Sequence, residues 1–506
     1  MEVVSGRATI SVSTVPSGFS ARRLMWVAFT VLLLHSNMCL SEDSNTIQAI
    51  RNKGWNVYDR QQAGRRFVAV EAVDAVLDAS DLAVITNVND LRSLDLRFSR
   101  ISGRWLPIVA QLTSLESLNI AGCHVLDDDL ADISDLIGLK TLELGANAVT
   151  NLGVIHLRKM KRLVRLDLSF TEVSSEAIGL LDCADSLESL ELGRTEVTGD
   201  MIVGLRRFRQ LSSLGVSKTK IDTPFCVALA SIQNLRRLDV AECGIDDYAA
   251  SRLLILKDLV SLDLSHTGVT DAAFEEIPAN KNIASLYLRR TKITDIALGV
   301  LQEWHRIEEL DVSETEITED GIAAVAKLRT LRSLSISGTT LGDVAARSLL
   351  KAESLEKLDA SYCSVTLSAL LELSKIRSLR ELNLKRATVG DAEMKILAGS
   401  AGLRRLNVTG TRVSDVGVAA ICKTTDLTSL SIGGTDISDD GIKSVGILEK
   451  LEELDISRSA VTDAAIPFLC QMKNLRTLNV SFSKISPQGT SSLQRALPTA
   501  VIISGN

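Results

Sequence analysis

The sequence predicts an α/β solenoid, a horseshoe with a parallel β-sheet on its concave face and short helices on its convex face. One observation is a leucine pattern that recurs every 24 residues through most of the chain. A second is that apolar residues within each unit change from a period of two to a helical period. A third is composition, because 45% of the 506 residues are hydrophobic but only 4% are aromatic, which indicates a repetitive aliphatic core.

The repeat is regular enough to number. Leucine or isoleucine opens the pattern L-x-x-L-x-L at seventeen evenly spaced places from residue 91 to residue 475, without insertion or deletion. The fourth position is leucine in every copy, and the eleventh is always Val, Ile or Leu. We number positions within a repeat from its first residue, so that repeat 1 begins at Leu91 and repeat 17 at Leu475.

Each repeat reads as a strand followed by a short helix. Positions 1 to 6 alternate apolar and polar residues, which places the leucines on one face of a strand and the residues between them on the other. Position 12 is usually Thr or Ser and position 13 is often Asp, as in Thr270 and Asp271. Residues of these types cap helix N-termini. Leu298, Leu301 and Trp304 then recur at a spacing that fits one helix face.

The unit at residues 259–271, L-x-x-L-x-L-x-x-T-x-V-T-D, resembles the leucine-rich repeat family. It is most similar to the 24-residue type that is common in bacteria such as planctomycetes. The resemblance covers residues 91–498 and implies a ribonuclease-inhibitor-like solenoid. It implies a generic binding surface but no particular activity. The repeats of F-box substrate receptors share this design, although the N-terminal sequence shows no recognisable F-box.

The N-terminal residues 1–41 have the layout of a signal peptide. Arg22 and Arg23 precede an apolar run at residues 24–34, and the small residues Cys39 and Ser41 precede Glu42. The run is too short to span a bilayer. We therefore expect a protein exported to the periplasm, the cell envelope or the exterior. One alternative is that the N-terminal segment stays uncleaved, in which case it would be the one part of the protein to contact a membrane. Another is that the signal is not functional, which would leave the protein cytoplasmic.

The ends of the repeat array need covers, because an open end exposes apolar surface. Residues 42–90 are predicted to form an N-terminal cap that contains a degenerate repeat from Phe67 onward. Ile47 and Ile50 indicate a short helix, and residues 55–58 a strand. Residues 91–498 hold the seventeen repeats, and residues 499–506 are predicted to add a C-terminal cap strand.

No motif of a catalytic or cofactor site is present. The five histidines are scattered, and no nucleophile elbow, P-loop or dinucleotide fingerprint occurs. Cys123, Cys243 and Cys363 lie five repeats apart, too far for a disulfide, and no Cys-x-x-Cys pair suggests zinc. We expect free thiols, a non-catalytic protein, and neither metal, cofactor nor small-molecule substrate. The net charge of −7 argues against nucleic-acid binding.

Position 5 is predicted to face the concave groove and carries nine carboxylates. These are Asp95, Glu143, Asp167, Glu191, Asp239, Asp263, Asp311, Asp359 and Asp455. We call Glu143, Asp167, Glu191, Asp239 and Asp263 the acidic row. Neighbouring carboxylates about 4.8 Å apart repel one another, so the row would attract a basic segment of a partner protein. The alternative is that acids here belong to the repeat consensus and are offset by nearby arginines.

Two interruptions of this row are further candidates for partner contact. In repeat 9 Tyr287 replaces the acid and is followed by Arg289 and Arg290, with His266 and Asp311 in the repeats on either side. Repeats 12 and 13 carry the second interruption, which is Tyr362, Lys385 and Arg386. Aromatic and arginine side chains are frequent interface anchors. The alternative is a solvated face on which these basic groups pair with neighbouring acids.

The sequence therefore predicts an exported, non-catalytic scaffold that presents its concave face to a protein partner. The alternative is an intracellular adaptor that resembles the repeat part of an F-box receptor.

Overall fold

The computed structural model describes residues 44–62, 65–232, 234–275, 277, 282–423 and 426–505. The chain divides into two compact units, Met1–Met38 and Cys39–Asn506, and every described residue belongs to the second. The predicted signal peptide at residues 1–41 lies outside the described residues. No helix within the described residues is both long and apolar enough to cross a membrane.

One sheet of twenty strands runs through the described part of the chain. Asn56–Gln62 and Arg65–Glu71 pair antiparallel, and every later neighbour pairs parallel with the same position of the next repeat. The repeats contribute Leu91–Asp95, Ser117–Asn119, Thr141–Glu143, Arg165–Asp167, Ser189–Glu191, Ser213–Gly215, Arg237–Asp239, Ser261–Asp263, Ser285–Tyr287, Glu309–Asp311, Ser333–Ser335, Lys357–Asp359, Glu381–Asn383, Arg405–Asn407, Ser429–Ser431, Glu453–Asp455 and Thr477–Asn479. Val501–Ile503 is the last strand and pairs with Thr477–Asn479.

Short helices follow the strands and contact their neighbours along the array. The α-helices are Ser44–Asn52, Ala79–Ala83, Leu106–Val109, Asp127–Asp132, Asn151–Ile155, Glu176–Leu180, Ile202–Leu205, Thr223–Ala228, Asp247–Leu254, Asp295–Leu301, Glu319–Val325, Asp343–Leu349, Leu367–Leu373, Asp391–Leu397, Asp415–Ile421, Asp439–Val445, Ile466–Leu469 and Pro487–Ala496. The 3₁₀ turns are Val84–Asn87, His156–Lys159, Gly199–Met201, Leu229–Ser231, Asp271–Ala273 and Asp463–Ala465.

Two-stranded pairs outside the main sheet join Val76–Asp78 to Arg100–Ser102 and Thr340–Leu341 to Ser364–Val365.

The core lies between the sheet and the helices. Leu259, Leu262, Leu264 and Val269, at positions 1, 4, 6 and 11 of repeat 8, are all completely buried. The same positions are buried in the neighbouring repeats, so each repeat covers the apolar face of the next. The sheet face away from the helices carries positions 3 and 5, whose side chains are partly exposed in most strands. We call this surface the open face.

Position 12 caps the helix of its own repeat, as the sequence predicted. The Oγ1 atom of Thr270 accepts a hydrogen bond from the backbone N–H of Ala272 at 3.2 Å. The prediction that position 13 contributes to the same cap is wrong for Asp271, which reaches across to the next repeat instead. Its Oδ1 accepts from the N–H groups of Thr294 and Ala297, at 2.8 and 3.1 Å, and its Oδ2 accepts from the Thr294 hydroxyl at 2.7 Å.

Hydrogen bonds of this kind recur between consecutive repeats on the helical side, and we call the series the ladder. The position 13 acids that accept from the position 12 backbone N–H of the following repeat are Asp127, Asp247, Asp271, Asp295, Asp391, Asp415, Asp439 and Asp463. Asp343 accepts from the position 12 hydroxyl of Thr366 instead. Parallel stacking brings the next N-cap within reach of the carboxylate, because adjacent strands are about 4.8 Å apart. Gly321, three residues after the Thr318 that binds Asp295, leaves room for this acid, because a Cβ at residue 321 would overlap Asp295 Oδ1.

Candidate functional site: the open face and its edge

Position 5 ends each strand on the open face, and its aspartates have a local structural role. Oδ1 of each aspartate or asparagine at position 5 accepts a hydrogen bond from the backbone N–H at position 7. The residues are Asp95, Asn119, Asp167, Asp239, Asp263, Asp311, Asp359, Asn383, Asn407, Asp455 and Asn479. These contacts are Asx turns, which short side chains of this type make readily. They explain why the repeat favours Asp or Asn at position 5.

Glu143 and Glu191 depart from this pattern in residue type, because the side chain of glutamate is one methylene longer than the Asp or Asn of an Asx turn. Register pairing places Glu143 opposite Asp167 and Asp167 opposite Glu191, so that three carboxylates occupy consecutive strands. Burial, followed by the charge of Asp167, raises the pKa of Glu143 to about 8. Beyond Glu191 the next strand carries Gly215, where an added Cβ would lie 1.8 Å from Glu191 Oε2.

The acidic row continues on the other side of Gly215. Asp239 and Asp263 lie opposite one another on adjacent strands. Burial, followed by the charge of Asp239, raises the pKa of Asp263 to about 7. The structure therefore arranges the five predicted residues as a group of three and a group of two, separated by a glycine.

Small side chains surround the acidic row. Position 7 is Ala, Gly, Ser or Thr in fourteen of the seventeen repeats, and its exceptions are Arg97, Arg289 and Lys385. None of these three basic residues lies in repeats 3 to 8, which carry the row. In these repeats position 3 carries two basic residues, Arg165 and Arg237. The charge of Arg165 lowers the pKa of Glu143, but burial raises that pKa by more.

The candidate residues of repeat 9 are bonded to their neighbours. The hydroxyl of Tyr287 donates to Glu309 Oε2 at 2.6 Å, and burial, followed by Glu309, raises the pKa of that hydroxyl. Arg289 and Arg290 both bind the carboxylate of Glu314. These contacts match the alternative in which basic groups of this region pair with nearby acids.

The neighbours of repeat 9 lie in two different rows. Asp311 is opposite Tyr287 in the position 5 row, and its Oδ1 accepts from the N–H of Ser313 at 2.9 Å. His266 belongs with Arg290 at position 8, where both are exposed. The structure thus groups Tyr287 with Asp311, and His266 with Arg290.

Position 8, immediately after the strand, has an unusual backbone. All seventeen residues there have positive φ. Four are glycine, namely Gly122, Gly338, Gly410 and Gly434, and the other thirteen are Phe98, Ala146, Phe170, Arg194, Lys218, Glu242, His266, Arg290, Glu314, Tyr362, Arg386, Arg458 and Phe482. We call these seventeen residues the left-handed row. Residues other than glycine adopt this conformation at a cost.

Arginine lies over an aromatic ring at three places in the left-handed row. The guanidinium carbon lies 4.9 Å from the ring centroid for Arg194 and Phe170, 5.8 Å for Arg386 and Tyr362, and 4.9 Å for Arg458 and Phe482. Phe170, Tyr362 and Phe482 are between 44% and 54% exposed, so each ring also faces solvent. Lys385 adjoins the second stack at position 7 and is exposed.

Only part of this row is predicted from the sequence. The candidates His266, Arg290, Tyr362 and Arg386 all belong to it, whereas Phe98, Phe170, Arg458 and Phe482 are not among the candidates. The four glycines at position 8 were the available signal, because glycine that recurs at one position of a repeat indicates positive φ. The selected residues form two groups, since Tyr362 lies three repeats beyond Arg290.

The cysteines form no disulfide among the described residues, and no group of three or more potential ligands could hold a metal ion there. Cys226 lies within the helix Thr223–Ala228, whereas Cys183 lies after the end of its repeat's helix at Leu180. Burial raises the pKa of the Cys226 and Cys422 thiols to about 12.

The leucine-rich repeat family model, described as "Leucine Rich repeat", matches residues 327–350, 402–422 and 424–446. The matched segments overlap repeats 11, 14 and 15, which begin at residues 331, 403 and 427. This chain is a leucine-rich repeat protein. The narrower assignment to the bacterial T-x-V-T-D type stays a prediction.

Solved leucine-rich repeat structures are similar at low identity. An internalin from Listeria monocytogenes has 18% identity and a TM-score of 0.34, with 82% of this chain and 95% of that chain covered. The plant peptide hormone receptor RGFR1 in complex with RGF2 has 15% identity and a TM-score of 0.37, with 88% and 82% covered. A leucine-rich repeat protein of Leptospira interrogans has 17% identity and a TM-score of 0.32, with 90% and 98% covered. No curated protein matches the sequence.

Proposed function

We propose that this leucine-rich repeat protein is an exported, non-catalytic scaffold that binds a protein partner on its open face. The observation that carries the proposal is the run of three carboxylates on consecutive strands, Glu143, Asp167 and Glu191. Two of the three are glutamates, whose longer side chain is not the type that forms the Asx turns of the repeat. A partner segment rich in Lys or Arg would complement their charge.

The surroundings of the acidic row support contact with a macromolecule. The small residues at position 7 allow a polypeptide to approach the carboxylates, as Gly145, Ser169 and Gly193 do in repeats 3 to 5. Burial already disfavours the charged form of Glu143. A bound cation would relieve that cost, because an opposite charge stabilises the ionised carboxylate.

A capture experiment tests this proposal. The full chain would be crosslinked to its partners in source cells, alongside a variant with Glu143→Gln, Asp167→Asn and Glu191→Gln. Asparagine retains the Asx turn at residue 167, since Asn serves the same contact at residue 407. The matched control carries Asp311→Asn, Asp359→Asn and Asp455→Asn, which removes three position 5 charges outside the acidic row.

We expect one partner to be lost from the acidic-row variant and retained by the control. A partner that both variants retain would show that the acidic row is not the binding site, and a full chain that captures nothing would contradict the scaffold function. A third variant, changed at Tyr287, Arg289 and Arg290, tests repeat 9 as the contact site. Loss of the partner from this variant alone would move the site to repeat 9.

Export is part of the same proposal and has a separate test. It is supported by the basic residues, apolar run and small residues before Glu42. The cysteines are compatible with an oxidising compartment, because burial raises the pKa of thiols such as Cys226 and buried thiols react slowly. N-terminal sequencing of the protein from fractionated source cells should begin at Glu42. A chain that retains Met1 and stays in the cytosol would favour the adaptor alternative instead.

A further inference from the structure

The left-handed row contains a symmetric stretch near its C-terminal end. Across repeats 12 to 17 its residues are Tyr362, Arg386, Gly410, Gly434, Arg458 and Phe482. Each arginine lies over the aromatic ring on its outer side, so an aromatic–arginine stack stands at either end. Two glycines separate the stacks.

The two glycines leave a gap between the stacks. Gly410 and Gly434 have φ of 70° and 62°. The stem of Arg386 packs beside Gly410, and only backbone of Gly410 lies next to Gly434. Position 7 adds no bulk beside Gly434, because it is Gly433. Arg386 and Arg458 are three repeats apart, or about 14 Å at the strand spacing of about 4.8 Å. The gap is therefore wide enough for an extended polypeptide segment.

The charges at this gap differ from those elsewhere in the left-handed row. Arg194 pairs with Glu242, and Arg290 pairs with Glu314. Within the described residues, neither Arg386 nor Arg458 has a carboxylate within salt-bridge distance. Their planar groups rest on rings that are 52% and 54% exposed.

The open face beside the gap adds little negative charge. The position 5 residues of repeats 13 to 17 are Asn383, Asn407, Ser431, Asp455 and Asn479. The single acid, Asp455, accepts a hydrogen bond from the Ser457 N–H at 2.9 Å. Lys385 is exposed at the first stack and adds a further positive charge. At position 3, Glu381 and Glu453 both lie within salt-bridge distance of Arg405, which offsets their charge.

Stacking indicates a binding role for the two arginines. A ring beneath a guanidinium holds it in one orientation, and its N–H groups can then bind a carboxylate in two places.

We propose that the two stacks and the gap between them bind an extended acidic segment of a partner protein, with one carboxylate on each arginine. Residues four apart in an extended chain are separated by about 13 Å, which matches the separation of about 14 Å between the backbones of Arg386 and Arg458. The expected motif is therefore two acidic residues with three residues between them. This site is separate from the acidic row and does not depend on it.

A defined peptide tests the inference. The probe is a fluorescein-labelled peptide with blocked termini, Gly-Glu-Gly-Ser-Gly-Glu-Gly, and the control peptide has Gln in place of both Glu residues. Fluorescence anisotropy with the full chain would be measured at about 50 mM salt, where screening is weak. We expect the Glu peptide to bind at least about tenfold more tightly than the Gln peptide, as charge-assisted hydrogen bonds would produce.

Matched variants locate the site. Arg386→Gln with Arg458→Gln should weaken binding of the Glu peptide by about tenfold or more. Arg194→Gln is the control, because Arg194 has the same position and stacking but already pairs with Glu242. It should leave the affinity unchanged. Tyr362→Leu with Phe482→Leu removes both rings but keeps the charges, and it should give an intermediate loss.

The inference is overturned if the full chain binds neither peptide, or both peptides equally well. It is also overturned if the Arg386 and Arg458 variant binds like the full chain, or if the Arg194 variant loses as much affinity. Circular dichroism and urea unfolding would verify that each variant is folded. If the double arginine variant does not fold, the aromatic variant decides the question, and unchanged binding by that variant counts against the site.

Discussion

Residues at position 8 hold a backbone conformation that glycine adopts without steric cost. Ala146 has φ of 56°, and its methyl group is exposed. The turn after the strand has this conformation in every repeat. It brings the residue at position 9 to a place where its side chain can contact the end of the strand. In repeat 8, for example, the Thr267 hydroxyl donates to the carbonyl of Leu264 at 2.6 Å. The turn is retained at the expense of local strain.

Ala146→Gly should therefore stabilise the protein. The substitution removes a Cβ from the left-handed region, and we expect the free energy of unfolding to rise by about 1 kcal/mol. Urea unfolding of the full chain would measure it. Ala121→Gly, one position earlier in repeat 2 and outside the positive-φ set, is the control and should destabilise the chain through greater freedom of the unfolded state. A loss of stability for Ala146→Gly would mean that the turn is not strained.

Between elements, the contacts that join consecutive helices include a hydrogen-bond ladder as well as apolar packing. Asp271 satisfies two backbone N–H groups and one hydroxyl of repeat 9. Helix N-termini leave backbone donors unsatisfied, and each acid of the ladder supplies acceptors for the neighbouring helix. The ladder therefore couples adjacent repeats in a fold whose stability depends on nearest neighbours.

Asp271→Ala should destabilise the array. The substitution leaves the N–H groups of Thr294 and Ala297 without their acceptor, at a cost of about 1–3 kcal/mol. Chemical unfolding followed by circular dichroism would measure the loss. Asp320→Ala provides the comparison, because this exposed acid at position 14 should contribute less than about 1 kcal/mol through the helix dipole. Equal losses for the two substitutions would argue against a structural role for the ladder.

Across the whole molecule, charge on the open face is unevenly distributed. The acidic row lies in repeats 3 to 8, and the stacked arginines lie in repeats 13 and 16. Burial raises the pKa of Glu143 to about 8 and that of Asp263 to about 7. These two carboxyls therefore stay protonated at a higher pH than exposed carboxyls do. The folded state therefore binds more protons than the unfolded chain, whose acids titrate near about pH 4.

Stability should therefore fall as pH rises from about 5 to about 8. Above about pH 4 the unfolded chain has lost the protons that folded Glu143 and Asp263 still bind, so rising pH favours unfolding until both are ionised. We expect a higher Tm at pH 5 than at pH 8. Glu143→Gln should raise Tm at pH 8 relative to the unaltered chain and have a smaller effect at pH 5. If the Tm of the Glu143→Gln variant differs from that of the unaltered chain by the same amount at pH 5 and pH 8, burial of this carboxyl is contradicted.

The repeat pattern predicts the strands and most of the caps, because each follows from local periodicity. Leu262 and Leu264 indicate the buried strand face, and Thr270 indicates the start of the helical segment. The candidate residues were predicted less well. Arg289 and Arg290 share Glu314, which belongs to the next repeat, and sequence spacing does not show that pairing. Side chains of adjacent repeats meet only once the strands are stacked.

The sequence by itself determined the α/β solenoid, the register of its seventeen repeats and the identity of the buried leucines. A strict 24-residue period leaves one way to bury every apolar stripe, which is against the same stripe of the next repeat. The tertiary structure decided what the polar residues do. It directed Asp271 to the following helix, gave the position 5 aspartates their Asx turns and placed Arg386 and Arg458 over aromatic rings. Those roles depend on distances between repeats, which arise only when the strands stack.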